Sequence, residues 1–303
     1  MIAPERILKT SKGELQLGGR MWLMGIVNAT PDSFSDGGRW QSLKERVALA
    51  EDLLAAGADV IDVGGESGVT NRPAVDVQEE IDRVAPLIRE LTGSLGAVVS
   101  VDTYKPAVAA AAIEAGASLV NDVSALHYPE LADVCARTGA GLVLMHTRAK
   151  PKQKLRDPSL DGRVTEDVKA LLTERIELAL SHGLSREQLM LDPGPDFSKT
   201  PAQTIEIMRS LAELHEFGRP LLLAISRKDF IGVITQRPPR ERLSGTLAAL
   251  GHGADQGAHM VRIHDVAAAR DFLAVREILN SATPVDPELK LDEGLRWERQ
   301  LPS

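Results

Sequence analysis

Eight times along this chain, a short apolar run stops abruptly in a stretch crowded with Gly, Pro, Asn, Asp and Ser, and a helical pattern follows. The first instance is the plainest. Leu23-Met24-Gly25-Ile26-Val27-Asn28 leads straight into Ala29-Thr30-Pro31-Asp32-Ser33-Phe34-Ser35-Asp36-Gly37-Gly38. Such residues let the backbone bend sharply and place side chains where a ligand can meet them. The apolar runs begin at Trp22, Asp59, Ala97, Ser118, Gly141, Leu189, Leu221 and His259. Most are apolar on consecutive positions, as parallel strands covered on both faces require. Helical patterns fall at 42–56, 77–91, 106–115, 129–138, 166–182, 201–215, 240–251 and 267–279, and several close on a glycine: Gly57, Gly116, Gly139 and Gly183.

Eight strand–helix units in roughly 260 residues have the dimensions of a (β/α)8 TIM barrel. An open doubly wound sheet is the rival, but it normally uses fewer strands and often a Gly-rich first turn. The sequence therefore predicts an α/β fold, with one barrel domain over 1–280 and a polar C-terminal tail over 281–303. Gly13, Gly18 and Gly19 punctuate short alternating runs and predict an N-terminal hairpin that closes the barrel floor. The charged stretch 148–163, with Lys150, Lys152, Lys154 and Arg156, reads as a long fifth βα loop. It is either a solvated excursion or a mobile lid or partner surface.

Composition narrows the function. A net charge of -8 and 3% aromatic residues argue against a nucleic-acid partner, though a local basic pocket for a small anion remains open. Cys135 is the single cysteine, so no internal disulfide can form. No 18-residue apolar span and no N-terminal run of signal-peptide character occur, so the expectation is a cytoplasmic protein without a membrane partner. No zinc spacing, nucleophile elbow or Walker A element is found.

In a TIM barrel the C-terminal rim of the strands carries the active site. The strand ends here supply Asn28, the stretch 62–72, Asp102, Asn121 with Asp122, His146, the stretch 192–199, Ser226-Arg227-Lys228, and Arg262 with His264. Asp102, Asn121 and Asp192 offer directional partners for a flat heterocycle bearing amino, ring N–H and carbonyl groups. Lys228, Arg262 and His264 suit a phosphate or pyrophosphate. Asn28 with Asp32 can hold a Mg2+ that masks phosphate charge. Plainer roles stand beside these. Asp102-Thr103 can cap the helix starting at Pro106, and Asn121-Asp122 can satisfy loop amides. His146 can be a core or supporting histidine, Arg262 can sit in a structural Arg–Asp pair, and one of Arg227 and Lys228 can face solvent.

The residues quoted above resemble the dihydropteroate synthase family. The matching motifs run from Met24 to Gly38, then Asp62-Val63-Gly64-Gly65-Glu66-Ser67, Val101-Asp102-Thr103, Asn121-Asp122, Met145-His146, Asp192-Pro193-Gly194, Ser226 to Gly232, and Arg262 to Val266. The resemblance implies a (β/α)8 homodimer that joins 6-hydroxymethyl-7,8-dihydropterin pyrophosphate to p-aminobenzoate and releases pyrophosphate, with Mg2+. It implies that Asp102, Asn121, Asp192 and Lys228 bind the pterin ring, with Met145 beside them. Arg262, His264 and Asn28 would hold pyrophosphate and metal. Ser226 and Phe197, with Thr70 and Arg72, would line the p-aminobenzoate site, and Phe34 would belong to the first loop. Catalytic roles fall on Asp102, Lys228, Arg262 and His264, and the metal ligand is Asn28.

Two stretches depart from the family pattern. Extra residues separate Ser67 from Arg72, which breaks the Thr-Arg pair of the second loop. Asp196 stands where a glycine is usual, so it must point away from a bound benzoate, pair with Arg72, or select an amine-bearing substrate. A catalytically silent or altered-specificity pterin-binding paralogue and a methyltetrahydrofolate-binding methyltransferase relative are the other readings.

Overall fold

The structure, a computed structural model, describes residues 3–30, 42–68, 73–281 and 284–296. It opens with an antiparallel hairpin, β1 (Arg6–Thr10) and β2 (Gly13–Leu17). Then come β3 (Trp22–Asn28), α1 (Leu43–Ala55), β4 (Val60–Gly64), α2 (Val77–Gly93), β5 (Val99–Asp102), α3 (Pro106–Glu114), β6 (Leu119–Asp122) and α4 (Glu130–Thr138). The second half contains β7 (Gly141–Met145), α5 (Val164–Ser181), β8 (Leu189–Asp192), α6 (Pro201–Arg209), β9 (Leu222–Ala224), α7 (Asp229–Thr235), α8 (Leu243–Asp255), β10 (Met260–Ile263) and α9 (Val266–Asn280).

Strands β3 to β10 form one parallel sheet in the order β8-β7-β6-β5-β4-β3-β10-β9. A parallel bridge between Leu191 and Leu221 joins its two ends, so the sheet closes into the expected (β/α)8 barrel. Among the described residues the helices number nine, not eight. The addition is α7, seven residues starting at Asp229, too short for its periodicity to register in sequence. The helical pattern at 201–215 is divided in the structure, α6 ending at Arg209 and a 3-10 stretch occupying Leu211–Phe217.

The strands look uniformly apolar in sequence because both faces are buried, yet the pleat sorts them in steps of two. Val27, Ile61, Val63, Val101, Val120, Leu144, Leu191, Leu223 and Ile263 pack outward against the helices. Met24, Val60, Leu119, Val143, Met190, Leu222 and Met260 form a separate cluster inside the barrel. Leu8 and Leu17 of the hairpin plug this inner cluster from the floor, and both are buried. Two positions further along those same strands stand Ile26, Asp62, Asn121, Met145, Asp192, Ala224 and Arg262. The lower barrel is therefore dry and the next layer up turns polar.

The floor is tied at its edges. The Arg219 guanidinium donates to the carbonyls of Leu189, Ile7 and Glu187 at 3.0, 2.7 and 3.1 Å. His259 accepts from the Leu221 amide at Nδ1 and meets the Pro4 carbonyl at Nε2, and burial pushes its pKa down to about 4. Among the described residues no helix is long and apolar enough to cross a membrane.

Because Leu8 is fully buried against the inner cluster and far from the polar rim, Leu8→Ala is expected to cost about 3 kcal/mol in urea unfolding. Ligand affinity at the opposite end of the barrel should be unchanged, as a binding titration on the folded variant would read.

Candidate active site

Arg262, on β10, is the centre of the polar mouth. Its Nε donates to Asp62 Oδ2 at 2.6 Å and its Nη2 to Asp102 Oδ2 at 2.9 Å. Asn121 Nδ2 donates to the same Asp62 oxygen at 3.2 Å. Three strands thus meet through one guanidinium, and a fourth joins through Asp62. Burial works against the charge on Arg262, but Asp62 and Asp102 outweigh it and its pKa lies above the ordinary arginine value. For Asp102 burial raises the pKa, Arg262 pulls it back, and Asp62 adds to the rise. The structural Arg–Asp pair that sequence offered as a rival to anion binding is present, and it lies inside the site.

Asp192, at the end of β8, has Met145 as its strand partner and accepts from the Gly194 amide at 2.7 Å. Burial raises its pKa to about 6, against the pull of that amide, Lys228, Lys199 and Arg262. Gly194 has a positive φ of 65°, and a Cβ there would lie 2.1 Å from the His146 carbonyl oxygen. Only glycine fits this turn. Asn28 and Asp102 flank Gly64: a Cβ on Gly64 would lie 3.7 Å from Asn28 Oδ1 and 3.7 Å from Asp102 Cβ.

The cationic side divides as its backbone dictates. Arg227 takes a positive φ of 59° and pairs with Asp265, Nε to Oδ2 at 3.1 Å and Nη2 to Oδ1 at 2.8 Å. Lys228 instead lies over the Phe197 ring, 4.1 Å from its centroid, and burial lowers its pKa. Arg242 fixes this turn by donating to the Arg227 and Lys228 carbonyls at 2.9 and 3.1 Å. Ser226 Oγ accepts from the His264 amide at 3.2 Å and lies 2.8 Å from His264 Nδ1. Burial, with Arg227 and Arg262 nearby, holds the His264 pKa down at about 3, so its imidazole is neutral.

The plainer sequence roles are settled residue by residue. Asp122 does serve the loop: its carboxylate accepts from the Ser124 amide, the Ser124 hydroxyl and the Leu126 amide. Asn121 does not, and bonds Asp62 instead. Asp102 does not cap α3, because Thr103 Oγ1 takes the Lys105 amide and α3 begins without a side-chain cap. His146 is a supporting residue. Its Nδ1 lies 2.7 Å from Lys199 Nζ and its Nε2 is 3.2 Å from Asp167 Oδ2. Lys199 Nζ also reaches the carbonyls of Gly194 and Phe197 at 3.0 and 3.2 Å, pinning the loop that carries Phe197. Burial lowers Lys199 to about 7 and His146 to about 4.

The Asp196 carboxylate is held by two donors and acts electrostatically on Lys228 and Lys199. Its Oδ1 accepts from Thr204 Oγ1 at 3.0 Å and its Oδ2 from the Phe230 amide at 3.2 Å. Thr70, Arg72, Asp32 and Phe34 lie outside the described residues. In sequence, Asp62 stands only as the first residue of the polar stretch 62–72. The signal that separates it is its place two residues beyond Val60, on the barrel-facing side of β4. Its Oδ1 is buried with no hydrogen-bond partner among the described residues. Lys199 stands in sequence only as the last residue of the polar stretch 192–199, and Lys105 carries no sequence signal, since their roles rest on contacts made by the folded loops.

The model of the family described as pterin binding enzyme matches residues 24–264, a span that covers every strand end just described. The dihydropteroate synthase of Escherichia coli strain K12 is 40% identical over 276 residues, 91% of this chain and 94% of that protein. Among solved structures, the Yersinia pestis dihydropteroate synthase in a sulfonamide drug complex superposes with a TM-score of 0.85 at 37% identity, covering 91% of this chain and 100% of that one. The Xanthomonas albilineans dihydropteroate synthase in complex with 7,8-dihydropteroate gives 0.79 at 41% identity, covering 89% and 97%. A barrel whose mouth sets carboxylates against half-buried cations is thus matched in sequence and in shape, and the chain belongs to the pterin-binding enzyme family, among its dihydropteroate synthases.

The raised pKa of Asp192 has a thermodynamic consequence. The folded state keeps a proton that the unfolded chain releases between about pH 4 and pH 6, so the wild type loses stability as pH rises through that window. Asp192→Asn removes this loss. Its urea stability relative to wild type should improve by at most about 3 kcal/mol between pH 4 and pH 7. Its affinity for a dihydropterin should fall by about 1–3 kcal/mol in calorimetry, through loss of a charge-assisted bond.

Proposed function

We propose that this protein joins 6-hydroxymethyl-7,8-dihydropterin pyrophosphate to p-aminobenzoate, forming dihydropteroate and releasing pyrophosphate. The observation that carries the reading is the convergence of Asp62, Asp102, Asn121 and Arg262 in one mouth, electrostatically coupled to Asp192 and Lys228. A flat ring with amino, N–H and carbonyl groups needs that acceptor wall, and its leaving group needs the cations beside it.

In this reading Asp102, Asn121 and Asp192 hold the ring, with Met145 next to Asp192. Lys228 binds the ring from the Phe197 side. Arg262 uses two of its five N–H groups on carboxylates and directs others to pyrophosphate. Ser226 Oγ accepts the His264 amide and lies 2.8 Å from His264 Nδ1, and this reading assigns its O–H as the donor to that nitrogen. The neutral imidazole then carries its proton on Nε2, as a donor to a phosphate oxygen.

The bond from the pterin methylene to the pyrophosphate oxygen breaks, and both electrons leave with pyrophosphate. The amine lone pair of p-aminobenzoate forms the new C–N bond, and the nitrogen gives up a proton. No protein nucleophile is needed. Arg262, Lys228 and His264 stabilise the departing anion, while Asp102 and Asp192 balance the positive charge on the ring. Asn28 presents an oxygen beside the bare Gly64, and Mg2+ commonly takes one or two protein oxygens together with substrate phosphate and water. Mg2+ held there would mask pyrophosphate charge. Phe197 and Ser226 line the p-aminobenzoate side, where the charge of Asp196, held by Thr204 and Phe230, is offset by Lys228. Thr70 and Arg72 complete this half in the same reading, which also makes the protein a cytoplasmic homodimer.

Arg262, His264 and Ser226 favour this reaction over methyl transfer, which releases no pyrophosphate. A coupled assay of pyrophosphate with Mg2+ is the direct test. Release should require both substrates and yield dihydropteroate. Tight dihydropterin binding without turnover would identify the silent paralogue instead. Arg262→Lys should lower kcat by about tenfold or more, because a lysine cannot span Asp62, Asp102 and an anion together.

A further inference from the structure

The fifth loop, between β7 and α5, is neither a free excursion nor an open lid. At its base the Ala149 amide donates to Ser198 Oγ at 3.1 Å, and Thr147 Oγ1 lies 3.0 Å from the same hydroxyl. At its exit Gln203 Nε2 donates to the Asp157 carbonyl and to Asp161 Oδ1, while Glu206 accepts the amides of Gly162 and Val164. Between these anchors stands Lys152, with a positive φ of 63°. Its Nζ donates to the Ser67 carbonyl in the second loop at 2.8 Å and lies 3.6 Å from Glu66 Oε1.

The receiving end is held by a network of charged hydrogen bonds. Glu66 Oε2 accepts from Lys105 Nζ and the Val75 amide, each at 2.7 Å, and Oε1 accepts from Tyr104 at 3.0 Å. Lys105 Nζ also binds Glu80 Oε2 at 2.5 Å and the Val75 carbonyl at 2.7 Å. A Cβ on Gly65 would lie 2.7 Å from Glu80 and from Val84, so this loop is pressed against α2. In the sheet, β5 and β6 lie between β7 and β4. The contact of Lys152 therefore carries the fifth loop past the ends of the two strands that bear Asp102 and Asn121.

We propose that Lys152 is a positioning residue that straps the fifth loop across the ring-binding wall and slows the departure of pterin pyrophosphate. This rests on the function proposed above. The lysine stem supplies the reach, and its ammonium supplies the hydrogen bond that the Ser67 carbonyl accepts and the charge that pairs with Glu66. A methionine keeps the length and loses both, whereas an arginine keeps them.

The test compares wild type, Lys152→Met and Lys152→Arg. Stopped-flow displacement of dihydropterin pyrophosphate, with Mg2+ and without p-aminobenzoate, should give a koff about tenfold higher for the methionine variant, the low end of the scale for a charged hydrogen bond. KM for pterin pyrophosphate should rise with it, KM for p-aminobenzoate should not, and arginine should restore both. Hydrogen exchange at 148–156 and 66–68 should quicken in Lys152→Met and stay slow in Lys152→Arg. Wild-type koff in the methionine variant overturns the proposal. So does a matched loss of Tm and of both substrate affinities that arginine fails to rescue. If the wild type neither binds nor turns over the pterin, the functional reading falls and with it the ligand role assigned to Lys152. The exchange data then show separately whether the strap exists.

Discussion

A half-buried guanidinium held between carboxylates from two other strands is the constraint on which the mouth of this barrel depends. Arg262 reaches Asp62 and Asp102 at hydrogen-bond distance, and Asn121 closes the circuit through Asp62. Asp62 is fully buried, and Arg262 and Asp102 are shielded from most solvent, so each needs a partner. A buried carboxylate without a partner is costly, and removing one member of such a set leaves the others uncompensated. The barrel solves this by closing. Strands far apart in sequence arrive in one layer, and the charges that would destabilise each strand separately satisfy one another.

That arrangement also explains how one pocket handles both a polar ring and an anion. The carboxylates are partly neutralised by Arg262 and raised in pKa by burial, so they are responsive acceptors. The cations are divided by backbone conformation. The left-handed turn at Arg227 sends its side chain to Asp265, and the next residue, Lys228, is delivered to Phe197. The neutral His264 adds a donor without adding charge. Around this mouth, loops are held by lysines that bond several acceptors at once. Lys199 pins the sixth loop from below, Lys105 pins the second, and Lys152 joins the second to the fifth. Each ammonium has three donors to share, which suits it to gather backbone carbonyls from separate segments.

Much of the fold was legible before any coordinates. Short apolar runs with polar ends, spaced by helices that close on glycine, describe a barrel of alternating units, and the floor hairpin followed from its glycines. The short α7 was not legible, because seven residues hold fewer than two helical turns. At the site, Asp102, Asn121, Asp192, Lys228, Arg262 and His264 could be named from strand ends and from their motif. Their partners could not. Asp62 and Asp122 look alike in sequence, each an aspartate at or near a strand end, yet one binds Arg262 and the other its own loop amides. Asp196 looks hostile to a carboxylate ligand in sequence, and only the fold shows that Thr204 and Phe230 hold it and that Lys228 is close enough to feel its charge.

The sequence by itself determined the repeating unit, the side of the barrel where chemistry sits, and the types of groups available there. Those properties are local: hydrophobic period, turn residues and caps act over a few positions along the chain. Tertiary structure decided which carboxylate meets which cation, which lysine faces the mouth, and which loops are tied together. Those outcomes depend on barrel closure and strand register, which bring residues from distant positions within hydrogen-bond distance. No local pattern records them, because each partner's position is set by all eight strands at once.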